Sequence, residues 1–188
     1  IGNNQVDIAF MGPAAYVQMT QDYGPKPLLA RLEIDGRPVF RGAVVTRVDS
    51  DIRKLGELRG RRFAFGDPLS TMSHLVPRFM LLQAGIGLEQ LEDYKYLGSH
   101  NNVALGVLSG AFNAGAVKEE VFRRYQDRGL RLLAWSPPLA EHLFVARDGL
   151  PPKTMQALGA ALLTLGDPQT EQGQRIMDGI KPGLTGMA

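Results

Sequence analysis

Short apolar runs alternate with amphipathic stretches along most of the chain. Val6 to Met11 is a run with β-branched and aromatic members, stopped by Gly12-Pro13 and followed by a helical pattern from Ala14 to Gln21. Pro13 suits the first turn of that helix, where no N–H is needed. Leu28 to Ile34 and Val39 to Val48 read as strands joined by Asp35-Gly36, a hairpin signal. Ile52 to Leu58 predicts a short helix, Arg62 to Phe65 a strand, and Ser70 to Ala84 a longer helix that Gly85 stops. Pro77 falls inside that helix and should kink or weaken it. Strands at Tyr94 to Leu97, Asn113 to Val117, Leu130 to Trp135 and Leu143 to Ala146 then alternate with helices at Asn101 to Ser109 and Lys118 to Gln126. Two more helices follow, one from Pro151 through Leu165 and one from Glu171 to Met177. Repeated alternation predicts an α/β fold with mainly parallel sheets.

Composition narrows the function classes. At 188 residues and 44% hydrophobic content the chain can bury a real core, as one large domain or two small lobes. No apolar stretch reaches the roughly 18 residues of a membrane helix. The 21 basic and 19 acidic residues are scattered, giving a net charge of +2 and no basic face of the kind nucleic acid requires. The absence of cysteine excludes disulfides, thiolate catalysis and Cys-ligated zinc. His74, His100 and His142 show no metal-binding spacing, so neither a metal nor a cofactor is expected. Because the chain opens on strand, tight turn and helix with little before them, earlier strands and helices of the fold are expected to be missing.

In open α/β sheets ligands bind beyond the carboxyl ends of strands, where helices begin. The most informative such junction is Asp67-Pro68-Leu69-Ser70-Thr71-Met72-Ser73-His74. Ser70, Thr71 and Ser73 bring hydroxyls to a helix start that already carries N–H groups and partial positive charge, a cradle for an oxyanion. Ordinary capping by Ser70 is the competing explanation. A second junction, Gly98-Ser99-His100, offers an imidazole that could donate to an anion. A third, around Asn113-Ala114-Gly115, offers an amide, and a fourth offers Tyr16 beside Gly12-Pro13.

The order of these junctions resembles the phosphate/phosphite/phosphonate-type periplasmic substrate-binding proteins of ABC transporters. The resemblance rests on Val-Asp-Ile-Ala-Phe and Gly-Pro-Ala-Ala-Tyr at Val6 to Tyr16, and on Leu58 to Thr71 with Pro77 downstream. Gly98 to His100 and Gly110 to Ala116 complete it, so that it spans Val6 to Pro151. It implies a type II periplasmic-binding-protein fold: two hinged α/β lobes, residues 1–48 and 134–188 forming the first and 49–133 the second. It also implies that the Ser70-Thr71 helix start and His100 hold a phosphonate- or phosphate-like group and that Tyr16 lies at the cleft between lobes. Ser73, His74, Asn113 and His142 complete the candidate ligand-binding set. Members carry an acid after the Ser-Pro segment, and the corresponding stretch here is Glu141-His142-Leu143. The departures are Met72 where a hydroxyl is expected and Asn113 where an acid is expected.

Reversible binding of a small oxyanion for ABC-transporter uptake is thus the leading expectation, in the periplasm, with a permease as partner and the membrane reached only through a partner or anchor. A sensory input domain coupled to a sensor kinase shares the same binding step and stays open. An effector-binding domain of a transcription regulator ranks below both. So does a hydrolase built on Ser70, His74, His100 and Asp67, because Ser70 sits in Pro-Leu-Ser-Thr and not in a Gly-x-Ser-x-Gly elbow.

Overall fold

The computed structural model describes residues 1–165, 170–181 and 183–188. In chain order its elements are β1 (Ile8–Met11), α1 (Pro13–Tyr23), β2 (Leu28–Ile34), β3 (Val39–Phe40), β4 (Gly42–Arg47) and β5 (Arg62–Phe65). They continue with α2 (Val76–Gln83), β6 (Asp93–Tyr96), α3 (His100–Leu108), β7 (Ala114–Lys118), α4 (Glu119–Gln126) and β8 (Leu130–Trp135). The last are β9 (Leu139–Ala140), β10 (Leu143–Ala146), α5 (Pro152–Leu163), α6 (Glu171–Ile180) and β11 (Leu184–Met187). They form two compact units, Ile1–Phe40 with Leu139–Ala188, and Arg41–Pro138.

The Arg41–Pro138 unit is built on a five-stranded sheet in the order β6-β5-β7-β4-β8. β5 pairs in parallel with β6 and β7, while β4 runs antiparallel between β7 and β8. Residues on β4 alternate between two buried faces. Val44 joins Phe63, Phe65, Met80 and Leu81 on the α2 side, and Val45 joins Val103, Val117 and Phe122 on the side of α3 and α4. Covering both faces explains why these strands read as continuous apolar runs. Gly115 lets α3 press on the sheet: a Cβ there would lie 2.6 Å from Val103 Cγ1 and 3.0 Å from the Ala64 carbonyl.

The other unit holds a four-stranded sheet, β1-β10-β2-β11, antiparallel throughout, and the short antiparallel pair β3-β9. α5 lays Met155, Leu158 and Leu162 against Leu29, Ala146 and Leu150, and α6 brings Met177 to Leu32 and Leu184.

Strand directions correct the expectation of mainly parallel sheets. Parallel pairing needs crossover helices. Here α2, α3 and α4 return the chain so that β5, β6, β7 and β8 run the same way, but β4 is inserted antiparallel between β7 and β8. Only β5-β6 and β5-β7 pair in parallel, and every other described ladder is antiparallel. The expected strand from Val39 to Val48 breaks at Arg41: β3 pairs with β9, whereas β4 pairs with β7 and β8, so the units divide there. The Asp35-Gly36 turn does form. Both residues have positive φ, and Ile34 and Arg37 exchange backbone hydrogen bonds at 3.0 Å, but the ladder stops at that single bridge. Between Ile52 and Leu58 only a 3₁₀ turn, Leu55–Leu58, is helical.

The segment at Ser70 opens not as an α-helix but as a π-helical turn, Thr71–Leu75, that runs directly into α2. The amides of Leu75 and Val76 close it onto the carbonyls of Ser70 and Thr71. This accommodates Pro77. A proline there cannot donate to the Ser73 carbonyl four residues back, and that carbonyl accepts the Gly66 N–H at 3.0 Å.

Candidate functional site

In the Arg41–Pro138 unit the carboxyl ends of β5, β6, β7 and β8 share one edge of the sheet with the start of β4. Three helical segments begin at that edge, the π turn after β5, α3 after β6 and α4 after β7; the third opens on Glu119 and Glu120, whose charge repels an anion. Ser70 caps the first: its Oγ accepts the Ser73 N–H at 3.1 Å, leaving the hydroxyl hydrogen to donate elsewhere. In a π turn the first closing bond comes one residue later than in an α-helix. The amides of Thr71 to His74 all precede it, so the turn carries one more N–H ahead of the ladder. Ser99 caps the second, accepting the Asn102 N–H at 3.1 Å. Gly66 holds these two together. Its carbonyl accepts the Gly98 N–H at 3.2 Å, and a Cβ on it would lie 2.1 Å from Ser73 Oγ and 3.8 Å from the Ser99 carbonyl carbon.

His100 is the first residue of α3 and is half-buried. Its Nδ1 accepts the backbone N–H of Lys118 at 3.1 Å. That contact fixes the tautomer: the neutral ring carries its hydrogen on Nε2, which is therefore a donor. Thr71 is half-buried at the head of the π turn.

Three of the expected site residues have other surroundings. Ser73 is 1% exposed, with its Oγ enclosed between Gly66 and the start of α3 and without a hydrogen-bond partner. Its hydroxyl is sealed from solvent. His74 is buried, and both ring nitrogens are engaged: Nδ1 lies 2.6 Å from the Pro68 carbonyl and Nε2 2.8 Å from the Tyr96 hydroxyl. Asn113 sits at the opposite edge of the sheet, just before β7, where its Oδ1 accepts the Arg62 N–H at 2.9 Å and its carbonyl accepts Thr46 Oγ1 at 2.7 Å. It closes the end of the sheet. The Met72 thioether also points inward, packed on Gly42 and 3.6 Å from Ser136 Oγ.

Tyr16 and His142 belong to the other unit. Tyr16 lies on α1, half-buried, its hydroxyl 3.4 Å from the Lys26 carbonyl. The His142 ring is stacked 5.5 Å from Phe10 and tilted 5.6 Å from Phe40, with Nδ1 2.7 Å from Glu141 Oε2. Glu141 is fully buried and also accepts the His142 N–H at 2.7 Å and Lys181 Nζ at 2.6 Å. Burial alone would push this carboxyl up. The hydrogen bonds from His142 and Lys181 outweigh it and hold the carboxyl at about 2. Glu141 is thus a buried structural anion, not an acid open to a ligand.

Several contributors escape a reading of the sequence. Ser136 accepts the Gly42 N–H at 2.8 Å and so ties the end of β8 to the start of β4. Tyr96 donates to His74; burial pushes its phenol up and Tyr94 adds to the shift, so it remains a donor at neutral pH. Glu119, at the head of α4, bridges Arg41 and Arg123, and the Arg41 hydrogen bond draws its carboxyl down. Lys181 and Glu141 are 40 residues apart in sequence, and no local spacing links them. Among the described residues no three His, Asp or Glu side chains are grouped as a metal would need.

The profile of the family described as ABC transporter, phosphonate, periplasmic substrate-binding protein matches residues 1–188. The chain belongs to that family. Such proteins work outside the cytoplasm, and no helix of the described residues is long and apolar enough to cross a membrane. The probable ABC transporter phosphite binding protein PhnD1 of Prochlorococcus marinus is 28% identical over 159 residues, 77% of this chain and 53% of its own length. The phosphate-import protein PhnD of Mycolicibacterium smegmatis is 30% identical over 171 residues, 81% of this chain and 53% of its own. The chain therefore spans about half the length of these relatives. The crystal structure of the Prochlorococcus protein in complex with methylphosphonate superposes with a TM-score of 0.81 at 23% identity, covering 100% of this chain and 74% of that one. The fold is that of the type II periplasmic binding proteins.

Proposed function

We propose that this chain reversibly binds a small tetrahedral oxyanion of the phosphate, phosphite or phosphonate class, without catalysis, and presents it to the permease of an ABC transporter. The observation that carries this reading is the pairing of two helix starts, at Thr71 and His100, on either side of Gly66 at the carboxyl ends of β5 and β6. Each start concentrates N–H donors and partial positive charge. Ser70 adds a hydroxyl donor, and His100 adds an N–H on Nε2, so an anion can be held by neutral groups. Family membership and the relatives' phosphite and phosphate functions agree with this ligand class.

Isothermal calorimetry with phosphate, phosphite, methylphosphonate and sulfate tests it. Saturable binding of at least one phosphorus oxyanion, lost in the Ser70→Ala/Thr71→Ala double variant, is expected. Equal affinity of that variant and the parent would remove the helix start from the site.

A further inference from the structure

The Asp67–Ser70 turn that delivers Ser70 to the proposed site is poorly packed. Asp67, Pro68 and Leu69 are all exposed, Leu69 to 82%. Two of its hydrogen bonds are local, from Leu69 N–H to Asp67 Oδ1 at 2.7 Å and from Ser70 N–H to the Asp67 carbonyl at 3.0 Å. A third reaches it from inside the unit, from His74 Nδ1 to the Pro68 carbonyl at 2.6 Å. A carbonyl can only accept, so Nδ1 carries the hydrogen, and the Nε2 of the neutral ring accepts from the Tyr96 hydroxyl at 2.8 Å. The ring is held edge-on by Phe65 at 5.2 Å and Tyr96 at 4.8 Å. One imidazole thus connects an exposed turn, the π turn behind it and strand β6.

We infer that His74 is a positioning residue for oxyanion binding: by holding the Pro68 carbonyl it presets the turn, and with it Ser70 and the amides at the head of the π turn. The inference rests on the proposed function, since it assumes that this helix start receives the anion. His74 touches no ligand in this scheme; both nitrogens are committed within the unit. Its contribution is preorganisation. A turn with only local bonds would have to be ordered at the moment of binding, which lowers affinity without removing any contact to the ligand.

The chemistry of the bracket provides the test. In His74→Asn the amide Nδ2–H falls near the place of Nδ1–H and keeps the Pro68 bond. In His74→Gln the amide falls near Nε2 and can meet Tyr96 but not Pro68. In His74→Phe the ring stays and both bonds go. Calorimetry with methylphosphonate and phosphate, alongside amide hydrogen exchange at Leu69, Ser70 and Ser73, reads each variant. Gln and Phe are expected to weaken affinity about tenfold, the size of one neutral hydrogen bond, and to speed exchange. Asn is expected to stay within about threefold of the parent, with exchange little changed. Tyr96→Phe leaves the Pro68 bond in place and should fall between the two. Should His74→Phe not fold, the Asn and Gln pair decides the matter alone. Equal affinities and exchange rates across Asn and Gln overturn the inference. A parent that binds none of the anions overturns the proposed function instead, and exchange in Asn against Gln still reads whether His74 holds the turn.

Discussion

The two units place their polar groups by opposite strategies. In Arg41–Pro138 a sheet covered on both faces by Phe63, Phe65, Val45, Val103 and their neighbours carries hydroxyls, amides and an imidazole at the edge where the helices start. In the unit formed by 1–40 and 139–188 the apolar clusters are small, α5 has no buried residue, and a fully buried carboxylate sits among a lysine, a histidine and aromatic rings. Parallel strands with crossover helices bring helix N-termini to one edge, whereas an antiparallel sheet joined by turns does not. Neutral donors at the helix starts thus go with the first architecture, and a fully buried carboxylate with the second.

The largest expected effect sharpens the contrast in packing. Phe63→Ala should destabilise by roughly 3–5 kcal/mol, because its ring is fully buried between Leu58, Phe65 and α2. Leu158→Ala on half-exposed α5 should lose about 1–2 kcal/mol, since only part of the side chain leaves an apolar surface. Chemical denaturation of both variants measures the difference, and comparable losses would break the comparison.

Next comes the buried anion. The Glu141 carboxyl is held at about 2, below its ordinary value of 4.5, so the folded state binds its proton less readily than the unfolded chain does. The stability it contributes is complete above about pH 4.5 and disappears as pH falls toward 2. Glu141→Gln should therefore cost about 3 kcal/mol at pH 7, leaving Lys181 without its buried partner, and the deficit should shrink on acidification. Urea midpoints for parent and variant from pH 7 to pH 2 check this. Parallel curves would show that the carboxylate adds nothing.

Ser70→Ala and Thr71→Ala should each weaken oxyanion affinity by roughly 1–3 kcal/mol, the range for a hydrogen bond to a charged group. Ser70→Ala should also destabilise by about 1 kcal/mol through the lost cap. The smallest expected effect is at Asn113→Asp. The carboxylate keeps the acceptor for the Arg62 N–H and stands at the edge away from both helix starts, so affinity should change by less than about 0.5 kcal/mol. A large loss in calorimetry would return Asn113 to the site.

Much of this was legible in the residues. Leu130 to Trp135 and Leu143 to Ala146 form strands with the bounds their pattern predicts, and Ser70 caps a helical segment as Asp-Pro-x-Ser-Thr suggests. What stayed hidden depends on partners distant in sequence. A serine at a helix start reads as a donor whether its hydroxyl caps the turn, as at Ser70, or is buried under Gly66, as at Ser73. His74 reads as a ligand until Pro68 and Tyr96 engage both nitrogens. The junction at Asn113 is misjudged for a topological reason: it precedes its strand, while the helix starts follow theirs. β11 lies in a stretch of Gly and Thr with little apolar pattern, and its pairing with β2 makes it a strand.

Backbone amide chemical shifts followed during titration with phosphate and methylphosphonate test the central claim most directly. The account predicts saturable shifts concentrated at Thr71 to His74 and Ser99 to Asn102, with Asn113 and Arg62 undisturbed. Saturable binding that leaves both helix starts unshifted would contradict it.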